Sequence, residues 1–231
     1  MIEVDCLPFV GELFDEPVLA TVASLTCGPT DLRPTESRHV AKACSRRIAE
    51  FATGRASARH LLRQLGYGEP DIEVDPLRCP MWPKGVVGSI AHCEDLCIVA
   101  LGPNLSVQGL GVDVEPNAPL EQKLWPIICT KNEQAWLDRQ PSWNRGNLAR
   151  LLFCAKEATY KCWFPETRRV LEFIEIEIEL DCKGDRFRAE VIRTGSPGCE
   201  SERSFSGRWL IRNRWMFTGV ARRKSAISMV A

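Results

Sequence analysis

The stretch FIEIEIEL, from Phe173 to Leu180, restricts the possible folds more than any other part of the chain. Isoleucine and glutamate alternate along it, which is the pattern of a β-strand with one buried face and one face in water. Strands of this kind are typical of antiparallel sheets that are covered on one side. We therefore expect an antiparallel meander, completed by strands at 187–192, 208–213 and 215–221, with a tight turn at Asn213–Arg214.

Helical patterns come before strands twice along the chain. Apolar residues at helical spacing cover 39–65, and short strands are expected after them at 97–101 and 110–115. Helical spacing returns over 120–139 and 148–163, directly before the meander. The chain thus repeats the order of helix and then strands.

This repeated order predicts an α+β fold made of two similar α+β halves, residues 1–115 and 116–231. No repeat is visible at the level of single residues. Two further segments are rich in Pro, Gly and polar residues, so we expect irregular structure over 1–36 and extended loops over 69–88.

Composition excludes several classes of function. Thirty basic and 30 acidic residues leave no net charge, so there is no bulk basic surface for nucleic acid. No run approaches the roughly 18 apolar residues of a membrane span, and the opening MIEVDCLPFVGELFDEP lacks the basic region of a signal peptide. Eleven scattered cysteines, an odd number without a CxxC pair, favour core thiols over a disulfide framework or a zinc ribbon. We expect a cytoplasmic protein without membrane or nucleic-acid partners.

The strand GLGVDVEP brings two carboxylates together. Asp113 and Glu115 are two residues apart in a strand, so both side chains point to one face. Such close carboxylates repel each other unless a cation or a shared proton is present, and Mg2+ typically binds carboxylate oxygens. The alternative is a strand whose wetted face happens to be acidic.

The helical stretch LLFCAKEATYKCWFP places Lys156, Glu157 and Lys161 close together. Glu157 and Lys161 are four apart, so they lie on the same side of the helix, where an ordinary ion pair contributes about 0.2–0.5 kcal/mol. Glu157 is also a candidate for a third metal ligand, supplied by a second element.

Cationic and polar residues suited to an anion occur in the first half. The stretch WPKGVVGSIAHC presents Lys84, Ser89 and His92 around glycines that allow close backbone approach. The first helix carries Arg47, Arg55 and Arg59 on roughly one side, either as a solvated basic face or as a phosphate-binding face.

The three blocks WPKGVVGSIAHC, GLGVDVEP and FCAKEATYKCWFP, in this order, resemble the 4′-phosphopantetheinyl transferase superfamily. The resemblance is to its single-chain, enterobactin- and surfactin-synthetase-activating type, and it runs from about Ser45 to Phe164. It implies two pseudo-symmetric α+β halves with the active site between them. It also implies transfer of 4′-phosphopantetheine from coenzyme A to a serine of an apo carrier protein, which releases 3′,5′-ADP.

The resemblance also implies roles for single residues. The metal ligands would be Asp113, Glu115 and Glu157, and the catalytic residues Asp113, Glu157 and Lys161. The coenzyme A contacts would be Arg47, Arg55, Arg78, Lys84, Ser89, His92, Lys156 and Lys161, whereas Arg59 receives no role. Ala91 stands where the family often has a serine, which removes a minor hydrogen bond.

The implied mechanism follows from charge. Mg2+, or Mn2+, which oxygen ligands suit equally, would neutralise the diphosphate of coenzyme A. Glu157, directly or through a metal-bound water, would act as general base for the carrier serine, and Lys161 would stabilise the departing 3′,5′-ADP.

The partner would be an acyl or peptidyl carrier protein that is acidic near its serine, and Arg145, Arg168 and Arg169 are candidate docking residues. We expect a monomer that holds the whole site in one chain. Two alternatives remain open: a non-catalytic module that binds coenzyme A or a carrier protein, and a metal-dependent nucleotide phosphohydrolase.

Overall fold

A computed structural model describes residues 8–192 and 203–224 of the chain. The α-helices in these residues are Pro34–Ser37 (α1), Ser45–Gln64 (α2), Trp125–Ile128 (α3), Lys131–Asp138 (α4) and Arg145–Thr167 (α5). The strands are Leu19–Ser24 (β1), Val86–Cys93 (β2), Leu96–Pro103 (β3), Val107–Pro116 (β4), Ile176–Asp181 (β5), Arg186–Val191 (β6), Ser204–Arg212 (β7) and Trp215–Arg223 (β8). Short 3-10 helices cover Pro8–Leu13, Pro29–Asp31, Gln122–Leu124 and Phe173–Glu175. The α+β fold class is confirmed.

The first sheet has three antiparallel strands in the order β1-β3-β2. Helix α2 packs on one face of it, where Cys97, Val99 and Leu101 of β3 meet Leu61 and Leu62 of the helix. Alternate residues of β3 point to the opposite face and into a second core. This sheet is therefore buried on both sides.

The second sheet has five antiparallel strands in the order β4-β8-β7-β6-β5. Its last four strands form the predicted meander, and the predicted turn after β7 contains Asn213 with a φ of 55°. The alternation of FIEIEIEL is confirmed for β5, because Ile176 and Ile178 are buried in the core beneath α5. Phe173–Glu175, the start of that stretch, forms a 3-10 turn instead of strand.

Strand β4 lies between the two layers and shows strict alternation. Leu110, Val112 and Val114 point into the core between the sheets. The intervening positions face α5, and a β-carbon added at Gly111 would lie 1.9 Å from the carbonyl oxygen of Ala158. Glycine at this position therefore lets α5 lie directly on the strand that carries Asp113 and Glu115.

Several element boundaries differ from the sequence-based prediction. The first long helix begins at Ser45 instead of residue 39, because Cys44 is extended and starts it. The predicted helix over 120–139 is interrupted after Ile128, where Cys129 is extended and Thr130 caps α4. The sequence predicts irregular structure over 1–36, but strand β1 lies within this range. The strand forms by pairing with β3, and this distant partner cannot be recognised from the local sequence.

The predicted division of the chain after residue 115 stays a prediction. That position lies near the end of β4, which hydrogen bonds with β8 in the five-stranded sheet. Because β4 belongs to the five-stranded sheet, we use first half for the elements that end with β3 at Pro103 and second half for those from β4 onwards.

The cysteines within the described residues are free, and five of them are buried, at positions 27, 97, 129, 154 and 162. Cys6 and Cys199 lie outside the described residues. A search of the same residues for a helix long and apolar enough to cross a membrane found none.

Candidate active site

The acidic residues of β4 meet a lysine of α5. Lys161 Nζ lies 2.6 Å from Asp113 Oδ1 and 3.7 Å from Glu157 Oε2. The predicted proximity of Glu157 and Lys161 on one side of the helix is confirmed. The structure thus brings three of the sequence-derived candidates into one contact cluster between β4 and α5.

A second cation, which the sequence-based analysis missed, pairs with the other carboxylate of β4. Arg150 Nη1 donates to Glu115 Oε2 at 2.9 Å. Arg150, Glu157 and Lys161 are spaced by seven and four residues, so they share one face of α5. That spacing was the signal that could have identified Arg150.

Burial and mutual repulsion shift the acids of this cluster. Burial, reinforced by the charge of Asp113, raises the pKa of Glu115 to about 7. Burial also raises the pKa of Glu157, although Lys161 opposes that shift. Burial alone would lower the pKa of Lys161, but Asp113 and Glu157 outweigh it and the pKa lies above its ordinary value. Burial is therefore the main cause that shifts these acids, and the charge of Asp113 adds to it.

The donor atoms of the cluster fit a hard divalent cation. Asp113 Oδ2 is buried and accepts no hydrogen bond from the described residues, so one carboxylate oxygen lacks a partner. Asp113, Glu115 and Glu157 offer carboxylate oxygens alone, the ligands that Mg2+ and Mn2+ prefer. As they stand, no three His, Cys, Asp or Glu side chains within 8–192 and 203–224 are grouped to hold a metal ion. Glu115 and Glu157 are instead turned towards Arg150 and Lys161.

His92 of β2 extends this cluster towards the first half. Its Nε2 lies 2.7 Å from Arg47 Nη1, and its Nδ1 lies 3.5 Å from Glu50 Oε2. Burial lowers the pKa of His92 more than Glu50 raises it, so the ring is neutral near pH 7 and Nε2 accepts from Arg47. The charge of Lys161 also lowers the pKa of His92 and that of Asp113 raises it, so the acid cluster influences this ring. Glu50 was missed by the sequence-based analysis, although it lies one helical turn after Arg47.

A cationic cavity of about 500 Å3 lies beside His92 on the first half, and its lining includes Arg47, Arg55 and Arg78. The Arg55 guanidinium stacks 3.8 Å above the Phe51 ring and donates through Nε to the Ile72 carbonyl at 3.0 Å. Its Nη2 is buried and has no partner among the described residues. Burial lowers the pKa of Arg55 to about 10, so the group still carries its charge at neutral pH. The cavity is thus suited to an anion.

Arg78 lies on a loop that Asp75 organises. Asp75 Oδ1 accepts from the backbone N–H groups of Leu77 and Cys79, each at 2.9 Å. Its other oxygen accepts from Arg168 at the end of α5. Burial alone would raise the pKa of Asp75, but the hydrogen bond from Arg168 helps to hold it below its ordinary value. An ion pair therefore connects the cavity with the helix that carries Glu157.

The other predicted coenzyme A contacts in and before β2 lie in different environments. Ser89 is buried, and its Oγ accepts from the Val112 N–H at 3.1 Å, so it bridges β2 and β4. Lys84 is exposed before the turn at Gly85, whose φ is 94°. Ala91 packs in the core between the sheets, where a serine hydroxyl would need a partner.

Lys156 is not part of the cluster, although it is adjacent to Glu157 in sequence. Its side chain is fully buried, and Nζ donates to Glu133 Oε2 at 2.6 Å and to the carbonyls of Ile128 and Phe173 at 2.7 and 3.0 Å. All three ammonium donors are therefore used within the protein. This placement does not support the predicted contact between Lys156 and coenzyme A.

Two of the three predicted docking arginines have partners within the protein. Arg145 donates to the carbonyls of Gln140 and Asp138 at 2.8 and 2.7 Å, and Arg168 bonds Asp75. Arg169 is half-buried beside it. Arg145 and Arg168 therefore already have structural roles.

Comparison with known proteins gives matches over most of the chain. The model of the 4′-phosphopantetheinyl transferase N-terminal domain matches residues 35–102, and that of the 4′-phosphopantetheinyl transferase superfamily matches residues 109–211. The chain is 36% identical over 204 residues to the 4′-phosphopantetheinyl transferase Npt of Nocardia iowensis, covering 84% of this chain and 91% of that protein.

Two further relatives are similar over comparable lengths. The chain is 34% identical to the 4′-phosphopantetheinyl transferase Svp of Streptomyces mobaraensis, over 87% of this chain and 84% of that protein. It is also 34% identical to the 4′-phosphopantetheinyl transferase PptT of Mycobacterium tuberculosis, over 90% of this chain and 93% of that protein. These matches confirm the resemblance stated from the three sequence blocks. The chain belongs to the 4′-phosphopantetheinyl transferase superfamily, a family of enzymes that use coenzyme A as co-substrate and act on carrier proteins.

Proposed function

We propose that the cluster of Asp113, Glu115, Glu157 and Lys161 is the centre at which this enzyme transfers phosphopantetheine from coenzyme A to a carrier-protein serine. The observation that carries the proposal is Oδ2 of Asp113, which is buried, has no hydrogen-bond partner within 8–192 and 203–224, and lies among carboxylates whose charges repel each other. A buried anionic oxygen without a donor is costly, so a cationic group is expected to complete the site.

The coenzyme A nucleotide would bind in the cationic cavity of the first half. Arg47, Arg55 and Arg78 would hold its phosphates, and the unpartnered Nη2 of Arg55 supplies a donor for one of them. His92, with Lys84 and Ser89 on the same segment, would contact the diphosphate. Lys156 is left out of this set because its three donors are used within the protein.

Asp113, Glu115 and Glu157 would hold Mg2+, and Mn2+ suits the same oxygen ligands. When bound, the ion supplies neutralisation of the diphosphate charge and a fixed orientation for it. Lys161 and Arg150 would then be released from the acids that they contact in this structure. The ammonium group of Lys161 would turn from Asp113 towards the diphosphate.

The transfer itself needs one base and one cation from the chain. The serine Oγ would form a bond to the β-phosphorus while the bond from that phosphorus to the bridging oxygen breaks. Glu157, whose pKa is raised by burial, would accept the serine proton, and the electron pair would leave on 3′,5′-ADP. Lys161 would stabilise the charge that develops on that leaving group.

The partner would be an acyl or peptidyl carrier protein, with Arg169 the remaining candidate for a docking contact. A single chain would contain the whole site, since both halves contribute to it. The monomeric state, the cytoplasmic location and the lack of nucleic-acid or membrane partners stay predictions.

Intact mass spectrometry of an apo carrier protein tests the proposal. Incubation with coenzyme A and Mg2+ should add one phosphopantetheine to the carrier and release 3′,5′-ADP. EDTA and Glu157→Gln should abolish the mass gain. Glu179→Gln, which alters an exposed glutamate of β5, should leave it intact.

The same experiment distinguishes the two alternatives. Release of 3′,5′-ADP without any carrier protein would support the nucleotide phosphohydrolase. Bound coenzyme A without a mass gain on fatty-acid, polyketide and peptide carriers would support the binding module. Full transfer by Glu157→Gln would show that the centre lies elsewhere.

A further inference from the structure

The buried pair of Lys156 and Glu133 is fully satisfied within the second half. Glu133 is the third residue of α4, and its Oε2 accepts from the Thr130 N–H at 2.7 Å and from Lys156 Nζ at 2.6 Å. Its Oε1 accepts from the Ile178 N–H of β5 at 2.7 Å. One carboxylate therefore ties together the start of α4, helix α5 and the edge strand β5.

The first half contains a pair with the same connections. Glu36 is the third residue of α1, and its Oε2 accepts from the Arg33 N–H at 3.0 Å. Its Oε1 accepts from the Ile72 N–H at 2.9 Å. Arg59 of α2 donates to both oxygens, at 2.7 and 2.8 Å, and through Nη2 to the Asp31 carbonyl at 2.7 Å.

The two pairs correspond position by position. In each, a helix-capping glutamate accepts from the N–H of the cap residue, from a cation on the long helix and from a later isoleucine N–H. In each, the cation also donates to a carbonyl two residues before the cap. Corresponding residues of the two pairs are separated by the same number of positions along the chain. This holds for the carbonyl residues 31 and 128, the cap residues 33 and 130, the glutamates 36 and 133, and the cations 59 and 156. This is a residue-level repeat that the sequence alone did not reveal.

Arg59 has no place in the cationic cavity, since its guanidinium is buried on Glu36. Lys156 is its counterpart in the second half, and its ion pair with Glu133 gives it the same structural role. Lys161 contacts Asp113 of β4 and Glu157 contacts Lys161, whereas Lys156 contacts α3, α4 and the Phe173 carbonyl. The pair thus holds α5 through contacts that are separate from those of the acid cluster.

We propose that Lys156 is a positioning residue: with Glu133 it fixes α5, and with it Glu157 and Lys161, and it makes no contact with coenzyme A. The inference rests on the proposed function, because it concerns how the side chains of that centre are held. It predicts that Lys156 affects turnover without affecting nucleotide binding.

The test compares Lys156→Met, Lys156→Arg, Glu133→Gln and the double variant Glu133→Gln/Lys156→Met. We expect Lys156→Met to lower kcat about tenfold or more, while the Kd for 3′,5′-ADP, measured by calorimetry, stays within about twofold of wild type. Glu133→Gln should lower kcat in the same way, and the double variant should lose little more than either single one. Lys156→Arg should recover most of the turnover, because arginine fills this place in the first half.

Lys131→Met, at an exposed lysine that begins α4, is the matched control and should behave as wild type. A Kd for 3′,5′-ADP at least fivefold weaker in Lys156→Met, with Glu133→Gln unchanged, would identify Lys156 as a ligand contact and overturn the proposal. Folded variants with a lower Tm but normal kcat would also overturn it, because the pair would then stabilise the fold alone.

Folding is followed by circular dichroism. If Lys156→Met does not fold, Glu133→Gln decides the question: a lower kcat with an unchanged Kd for 3′,5′-ADP supports the proposal, and a normal kcat overturns it. Failure of the proposed function has a different signature. In that case the wild-type protein itself would bind no 3′,5′-ADP, or load no carrier, before any variant is compared.

Discussion

Helices α2 and α5 are counterparts in the two halves, yet they differ in the charges they present. Each lies on an antiparallel sheet and carries a buried cation that binds a capping glutamate, Arg59 on α2 and Lys156 on α5. Beyond that shared frame, α2 directs Arg47 and Arg55 into a cationic cavity. α5 instead directs an acid and a lysine at the carboxylates of β4. Two similar arrangements of helix and sheet thus hold a cationic cavity in one half and an acidic cluster in the other.

The two helices also approach their sheets differently. In the first half the small residue is on the helix, where a β-carbon on Gly54 would lie 3.0 Å from a side-chain methyl of Ile90. In the second half it is on the strand, where Gly111 faces the backbone of α5. The closer approach in the second half brings helix and strand side chains within ion-pair distance.

The largest expected effect tests the separation of roles between the halves. We expect Glu157→Gln to lower kcat about 10³-fold, through loss of a general base and metal ligand, with the Kd for 3′,5′-ADP in the absence of metal nearly unchanged. Arg55→Met should weaken 3′,5′-ADP binding about tenfold or more, through loss of charge-assisted hydrogen bonds, with a much smaller effect on kcat at saturating coenzyme A. Calorimetry measures the Kd for 3′,5′-ADP, and steady-state kinetics measures kcat. Arg63→Met is the control on the exposed face of α2. Equal effects of both variants on both quantities would remove the proposed separation.

The next effect concerns packing. Gly111→Ala should lower the free energy of unfolding by about 3 kcal/mol, because backbone atoms of α5 lie within the space of the new methyl group. Gly54→Ala should change it by about 1 kcal/mol or less, because a side-chain methyl can shift and alanine favours the helix. Urea unfolding compares the two. A smaller loss for Gly111→Ala than for Gly54→Ala would show that the close approach at β4 is not a constraint.

A pH effect on metal binding is expected at the acid cluster. Since burial and Asp113 raise the pKa of Glu115 to about 7, this carboxyl binds a proton below pH 7 that a metal ion must displace. The affinity for Mn2+, followed by electron paramagnetic resonance, should therefore fall about tenfold per pH unit from pH 7 downwards and level off above it. Glu115→Gln should make this dependence shallower and leave the part that Glu157 supplies, since burial raises the pKa of that carboxyl as well. An affinity that is flat from pH 8 to 6 in the wild type would contradict the shift.

The smallest effect lies at the connection between the two halves. Arg168→Gln removes the partner of Asp75, and we expect 3′,5′-ADP to bind up to about fivefold more weakly because Arg78 is on the loop that Asp75 shapes. The Tm should barely change, since Arg168 is exposed. Arg139→Gln, at an exposed arginine directly after α4, is the control. A higher KM for the carrier protein with unchanged 3′,5′-ADP binding would instead assign Arg168 to docking.

Much of this protein could be predicted from local sequence. The alternation of FIEIEIEL and the turn at Asn213–Arg214 predicted the meander, and the spacing within GLGVDVEP placed Asp113 and Glu115 on one face of a strand. The spacing of Glu157 and Lys161 predicted their shared side of α5. These features depend on the period of a helix or strand, which residues close in sequence determine.

Tertiary structure decided which partner each of these side chains meets. Lys156 and Lys161 are lysines on one helix, yet one is enclosed by Glu133 and two carbonyls and the other lies against Asp113. The roles of Arg59 and Arg150, and the pairing that makes β1 a strand, likewise depend on segments far away in the chain. Local spacing gives the direction of a side chain around its own element, whereas its partner depends on how the elements pack, and that packing is set by the whole chain.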